Sequence, residues 1–370
     1  MLSRRTTLVA LVGAAGAATA GCGLVAPDGS QGYAAASAPS TPTPTPVPTP
    51  TPTPTADLRP RAPLTGQLIT GSTPLTQAAV AVKVSDVASA HPQAGLNVAD
   101  IVFVEPNGIS YTRLCAVFHS RFPELVGPVR SIRPVDVALL GPLKPVFGNT
   151  AAAQWVMRYV EARSDTVENL YSFKAGVHGT TAYYTMPGRA RVHSVFCRPE
   201  ELRKLAVQMT AAPTKPYLPF AIGDEQVSTE LAGRPASEVS VPWGPGDTFS
   251  TGYVFHTASG RYLRNEPFGR HVLADGHRVT TDNVLVVRAK WKLGKTHAGS
   301  GGPVPVVDII DGRGTFFYFH MGKYVTGTWT KGAITDLFQF TLDDGSPLRM
   351  APGRTFMELP QIDAGVRISA

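Results

Sequence analysis

Apolar positions fall into three regimes along this 370-residue chain. The first is a short run, Leu8 to Ala18, that follows Arg4 and Arg5 and ends at Thr19-Ala20-Gly21-Cys22. The second, residues 22 to 60, is small and polar with no periodicity. From residue 61 the apolar residues return with a period. Ala78 to Val84, Ile101 to Val104 and Leu114 to Phe118 are β-branched and predict strands, with Pro106-Asn107-Gly108 turning the chain between the last two. Val135 to Leu140 and Ala151 to Ala162 carry helical spacing. Pro199-Glu200-Glu201 places proline and acids in a first turn and predicts a helix from Glu200 to Met209. Beyond the proline-rich stretch Ala212 to Phe220 the runs shorten and alternate: Gly252 to Thr257, Val284 to Lys290, Val304 to Ile310, Thr315 to His320 and Tyr324 to Trp329. Gly, Asp and Asn separate them, as in a β-rich domain. The pattern predicts an α+β protein: a mixed α/β N-terminal domain over 61–211, then a smaller, mostly β C-terminal domain over 221–365.

The first sixty residues predict export. Arg4 and Arg5, the apolar run and the small residues before Cys22 have the order of a secretory signal over residues 1–21. A membrane span needs about 20 strongly apolar residues, and this run is shorter and rich in Ala and Gly. The paired arginines also fit a twin-arginine signal. Thr19-Ala20-Gly21-Cys22 resembles the lipobox of bacterial lipoproteins, in which the cysteine sulfur carries a diacylglycerol, and two chains hold a membrane where one does not. That makes Cys22 the expected lipidation site and the membrane an expected partner. The expected location is the outer face of the bacterial cell membrane. Residues 22–60 read as a disordered stalk. Its Thr-Pro alternation from Thr41 to Thr55 favours polyproline II and would reach roughly 45 Å.

Charge narrows the partners. The formal net charge is +7; removal of Arg4 and Arg5 with the signal leaves +5. No Lys/Arg-rich run, aromatic–basic interleaving or zinc-finger spacing is present, so nucleic acid is not an expected partner. A mildly basic surface outside the cell suits anionic wall polymers or lipid headgroups, and equally an ordinary soluble surface. No cofactor is implied. Cys115 and Cys197 both lie in apolar runs; a disulfide and two buried thiols are both compatible with an oxidising compartment.

Several strings are specific. His91-Pro92-Gln93-Ala94-Gly95-Leu96-Asn97-Val98-Ala99-Asp100-Ile101-Val102-Phe103 resembles the Pro-Gln-x-Gly-Leu-x-x-Ala-Asp-Ile-Val-Tyr signature of the YerB-like lipoproteins. Pro63-Leu64-Thr65-Gly66, Thr112-Arg113 with Ala116-Val117-Phe118, and Gly127-Pro128-Val129-Arg130-Ser131-Ile132-Arg133 match further motifs of that family. So do Arg261-Tyr262-Leu263-Arg264, Asn283-Val284-Leu285-Val286, Gly327-Thr328-Trp329-Thr330-Lys331 and Pro352-Gly353-Arg354-Thr355. The resemblance covers residues 61 to 362 and implies two linked domains in an envelope protein. It implies no settled activity. One departure stands out: the family's acidic Val-Glu-Gly-Gly stretch is here Asn107-Gly108-Ile109-Ser110, with Glu105 upstream of the turn. The family's Pro-His-Asn stretch is reduced to Val192-His193-Ser194.

The polar residues of these motifs are the site candidates. Asp100, Glu105 and Asp136 are the acids available for catalysis. Gln93, Arg113, His119, Arg130, Arg133 and His193 are the ligand-binding candidates. Arg130 and Arg133 share a face if their segment is helical. Three arginines at one sheet edge can form an anion clamp, because guanidinium offers a bidentate fork. They can equally form a structural network, pairing with Asp100 and Asp136. Trp155, Trp243, Trp291 and Trp329 could stack on sugars or fill the core. His271 and His277 flank Asp275, a spacing that does not specify a metal, and none is expected. Gly294 to Gly302 lacks the order of a phosphate loop and reads as a flexible hairpin loop. The expected function is to bind, and in one version process, peptidoglycan or another envelope glycan. The alternative is a non-catalytic envelope scaffold or a ligand- or protein-binding lipoprotein.

Overall fold

The computed structural model describes residues 59–70, 75–108, 111–244, 249–296 and 303–370. The signal segment, Cys22 and the Thr-Pro stalk lie outside the described residues. In chain order the elements are β1 (Val80–Ser85), β2 (Ile101–Pro106), β3 (Thr112–Phe118), α1 (Pro134–Leu140), β4 (Val146–Gly148), α2 (Gln154–Glu161), β5 (Glu168–Asn169), β6 (Tyr183–Thr185), β7 (Val195–Cys197) and α3 (Pro199–Lys204). Then come α4 (Ser228–Ala232), β8 (Arg234–Pro235), β9 (Glu238–Pro242), β10 (Ser250–His256), β11 (Arg261–Glu266), β12 (Gly269–Arg270), β13 (Thr280–Thr281) and β14 (Asn283–Val287). The last are β15 (Lys290–Thr296), β16 (Pro303–Asp308), β17 (Gly312–His320), β18 (Lys323–Lys331), β19 (Gln339–Leu342), β20 (Thr355–Glu358) and β21 (Arg367–Ser369). The protein is strand-rich, and its few helices are short.

One sheet runs through both halves of the sequence, in the order β19-β18-β17-β14-β20-β2-β3-β1-β4-β5, with β8 on β18. The halves meet at β20, which lies parallel to both β14 and β2; Ile101 is opposite Thr355 and Val104 opposite Glu358. Strands β1, β2 and β3 are buried on both faces, so they read as near-continuous apolar runs with few polar interruptions. A second sheet, β12-β11-β10-β9-β21 with β13 on β11, packs on the first. Tyr253 meets Phe356 of β20 edge-on at 6.2 Å, and the Arg264 guanidinium lies 5.6 Å from the same ring.

A buried polar network fastens the layers. Arg264 of β11 donates to Asp86, just past β1, at 2.9 Å, and also pairs with Glu266. Asp86 further accepts Thr112 Oγ1 at 2.6 Å and Gln93 Nε2 at 3.0 Å. His271 takes Arg264 on Nδ1 at 2.8 Å and meets Gln93 Oε1 through Nε2. Burial works against the Asp86 charge, but Arg264, His91 and His271 together outweigh it and hold the carboxyl well below its usual range. On Glu266 burial acts in the same direction and prevails, holding it well above the carboxylate range despite Arg264. Such a network adds less to stability than its contact count suggests, because every charge in it has left water.

The structure departs from the sequence reading in three places. The helix predicted from Glu200 to Met209 ends at Lys204. Val207, Gln208 and Met209 instead give their N–H groups to the Glu168 carboxylate at 2.8–2.9 Å, which a continuing helix would have kept for itself. The helix predicted from Ala151 begins at Gln154, because Ala151 adopts φ of 59°. The run Val284 to Lys290 is not one strand: β14 ends at Val287, Ala289 donates to Pro360, and Lys290 opens β15 in a separate hairpin. Of the Gly294–Gly302 segment, residues 294–296 belong to β15 and the rest lies outside the described residues.

His271 is the pH-sensitive member of the network. Burial and the adjacent Arg264 hold its imidazole well below the usual 6.5, so an unfolding chain takes up a proton that the folded one refuses. Stability from this group is therefore full above pH 6.5 and declines as pH falls. In denaturant titrations, the advantage of wild type over His271→Gln should shrink by about 1.4 kcal/mol per pH unit below 6.5. A constant difference from pH 7.5 to 5 would contradict this assignment.

Candidate functional site

Alternation along the central strands places ionisable side chains on one face. Lys83 is opposite Cys115, which is opposite Phe103; Ser85 is opposite Arg113, which is opposite Glu105. The odd-numbered residues of β1, β2 and β3 thus form two rows under α1. Asp136 of α1 closes the face from above. Its Oδ2 accepts the Arg133 backbone N–H at 2.6 Å and caps the helix.

Lys83 sits at the centre and is fully buried. It pairs with Glu105 and, at 2.7 Å, with Asp136. Burial disfavours its charge, but Asp136 and Glu105 together outweigh that and raise its pKa. One ammonium faces two carboxyls, so one acid gives way. Burial, then repulsion from Asp136, pushes Glu105 well above the carboxylate range. Cys115 lies beside this triad, and burial raises its thiol well above the usual range.

Around the open end of the same face stand three arginines. Arg113, on β3, is 5% exposed and donates through Nη1 to Ser131 O at 3.1 Å. Arg130 donates through Nη1 to Val192 O at 2.9 Å. Arg133 donates to Ile132 O at 3.2 Å and to Asn107 Oδ1 at 2.6 Å. The segment carrying Arg130 is held on β1, where Arg130 N–H donates to Lys83 O and Ser85 N–H to Pro128 O. Strand β7 then holds that segment from its other side, through Val129 N–H to Val195 O. This brings in His193, 6% exposed, whose Nε2 meets Ser89 Oγ at 3.1 Å. The arginines feel one another: burial first, then Arg133 and Arg130, hold Arg113 well below its usual range. Burial also lowers Arg133, to about 10. Burial, with Arg130, Arg189 and Arg113, lowers His193.

Of the two arrangements open to the arginines, the Arg–Asp network is not the one that forms. Asp136 serves Lys83 and the α1 cap. Asp100 lies at the opposite end of β2, where Oδ2 accepts the N–H groups of His119 and Ser120 at 2.6 and 2.9 Å. Among the described residues, none of Arg113, Arg130 and Arg133 has a carboxylate within ion-pair distance. The Nε of all three, and Nδ1 of His193, are buried without an acceptor.

The structure therefore divides the candidates. It brings Glu105, Arg113, Arg130, Arg133, Asp136 and His193 to one end of the sheet. Asp100 and His119 go to the far end, where His119 exchanges bonds with Gln77. Gln93 goes into the interlayer network on the opposite face. His277 is exposed while His271 is buried, so the two do not converge. The Asp86, His91, Glu266 and His271 donor atoms do cluster, but Arg264 already supplies their cation. Trp243 and Trp329 are core, and Trp155 and Trp291 are half-buried. Sequence reasoning missed Lys83, Arg264 and Glu266. The signal for Lys83 was present: a lysine inside Val80-Ala81-Val82-Lys83-Val84 must find an acid if that strand is internal.

Comparison with known proteins follows the same two halves. Residues 64–212 match the model described as "Protein of unknown function (DUF3048) N-terminal domain", and residues 239–357 match the DUF3048 C-terminal domain. Bacillus subtilis YerB, which bears the name of a lipoprotein, is 26% identical over 314 residues, covering 82% of this chain and 87% of the relative. The crystal structure of the Bacillus subtilis YerB protein superposes with a TM-score of 0.68 at 23% identity, over 84% of this chain and all of that one. The last match shows the fold alone.

Two outcomes follow from the buried face. Lys83→Met strands two acids and should cost about 3–5 kcal/mol in chemical denaturation; a cost below 1 kcal/mol would contradict the triad. Cys115 and Cys197 are buried free thiols. In a Cys22→Ser protein, a chromogenic thiol reagent should label neither natively and both in denaturant. A denatured protein with no free thiol would contradict this.

Proposed function

The chain belongs to the DUF3048 family, and from that premise we propose that it is a lipid-anchored envelope protein that binds an anionic wall polymer through the cleft of Arg113, Arg130 and Arg133. The lipoprotein name of the YerB relative and the Thr19-Ala20-Gly21-Cys22 string together support the anchor and an extracytoplasmic location. The Thr-Pro stalk would hold the folded part away from the membrane, toward the wall. No helix among the described residues is long and apolar enough to cross a membrane.

One observation carries the binding reading. Asp136 is committed to Lys83 and the α1 cap, Glu105 reaches Lys83 through Oε2 while its Oε1 is left unmatched, and none of the three arginines has a carboxylate within ion-pair distance among the described residues. Buried donors without acceptors cost about 1–3 kcal/mol each, so a fold that keeps several in one place is poised to receive acceptors from outside. The same observation weighs against processing. Glycan cleavage needs a carboxyl that can reach the scissile oxygen, often with a second across the bond. Glu105 and Asp136 are 0% exposed and joined through Lys83, and Asp100 is at the wrong end of the sheet. Binding without cleavage is the reading the geometry favours.

Co-sedimentation of the full-length protein in mild detergent with purified sacculi tests this. Wild type should sediment with them, Arg130→Gln/Arg133→Gln should bind at least about tenfold more weakly, and no muropeptides should be released. Release of muropeptides, or sedimentation indifferent to the double substitution, would overturn the proposal.

A further inference from the structure

We infer that the group held in this cleft is a phosphate: Arg113, Arg130 and Arg133, with Nδ1 of His193, form a site for the tetrahedral oxyanion of a phosphate-bearing wall polymer. This rests on the binding role proposed above and names the chemistry of its ligand.

The first support is charge. Three guanidinium groups lie near one another, Arg113 and Arg133 sharing Ser131 O, with no carboxylate within ion-pair distance among the described residues; Glu105 and Asp136 offset their charge only from farther off. Arg189, whose charge also acts on His193, donates to the backbone oxygens of Ala90, at 3.0 Å, and Pro92, and lies over the Phe196 ring at 5.2 Å. A single carboxylate brings one negative charge to this cluster and leaves most of the repulsion in place. A phosphomonoester brings between one and two. A run of phosphodiesters brings one at each repeat, with neighbouring groups close enough to be felt by the half-exposed Arg130.

The second support is the arrangement of donors. Each arginine is tied by Nη atoms: Arg113 to Ser131 O, Arg130 to Val192 O, and Arg133 to Ile132 O and Asn107. That leaves the Nε–H groups buried and unmatched. The tethers fix the guanidinium planes before any ligand arrives, which lowers the ordering cost of binding. The donors also come from separate segments. Arg113 rises from β3, Arg130 and Arg133 flank the entry to α1, and His193 comes from the turn before β7. A carboxylate presents its acceptor sites in one plane. A phosphate presents oxygens in several directions, which is what donors from three segments require.

The third support is the histidine. Ser89 Oγ can donate to Nε2, leaving the proton on Nδ1, the atom that has no partner. His193 can then donate to an oxyanion while remaining neutral.

Titration calorimetry of the full-length protein in mild detergent, in a buffer free of phosphate, tests the inference with inorganic phosphate and acetate as probes. Phosphate should bind one per chain, at least about tenfold more tightly than acetate, and Arg130→Gln and His193→Gln should each weaken it, the former by at least about tenfold. Phosphate should also displace the protein from sacculi. Arg130 is half-exposed and His193 is buried, and an unchanged melting temperature of each variant separates lost binding from lost fold. Acetate binding as tightly as phosphate, with the same dependence on Arg130, would overturn the phosphate assignment and keep the anion cleft. Retention on sacculi that neither anion competes and neither substitution weakens would overturn both.

Discussion

Lys83 determines what the rest of this face can do. It stands in the middle of an internal strand, out of contact with water, and cannot keep its charge there without acids. Glu105 and Asp136 serve that need, and Asp136 spends its other oxygen on the α1 cap. Had either been left over, Arg113 or Arg133 would have taken it, and the end of the sheet would be an ordinary closed salt-bridge network. Because the lysine comes first, the arginines above it remain charged, fixed and unmatched. The proposed ligand site is what this interior charge balance leaves over.

The same strands solve a second charge problem on their other face. Asp86, one residue beyond β1, and Thr112, at the start of β3, receive Arg264 from the second sheet. The two clusters lie on opposite sides of the same strand ends. Movement of β1 or β3 on one side would disturb the pairing on the other. The rigid base this gives suits a binding cleft, whose donors must keep their spacing when no ligand is present.

Much of this was legible in the chain, and the misses have physical causes. The strands β1, β2 and β3 are β-branched and short, and the turn between the last two is marked by Pro106-Asn107-Gly108. Arg113, Arg130, Arg133 and His193 were visible as polar residues within specific motifs. Their partners were not. Sequence spacing places Asp100 and Asp136 near the arginines, whereas strand direction sends Asp100 to the far end and Lys83 captures Asp136. The pairing of β20 with β2 joins residues some 250 positions apart and has no local signature. Arg264 lies in an alternating strand, and its burial depends on the packing of the second sheet on the first. The shortened helix after Pro199 is likewise decided by Glu168, thirty residues upstream.

A tungstate soak of the crystallised protein, measured at the tungsten absorption edge, reads the central claim directly. Tungstate is a tetrahedral dianion and a heavy-atom stand-in for phosphate. The account predicts one dominant anomalous peak within hydrogen-bond reach of Arg113, Arg130 and Nδ1 of His193, with Lys83 still paired to Glu105 and Asp136. An empty cleft, with the arginine Nε groups matched by a carboxylate of the chain itself, would contradict it.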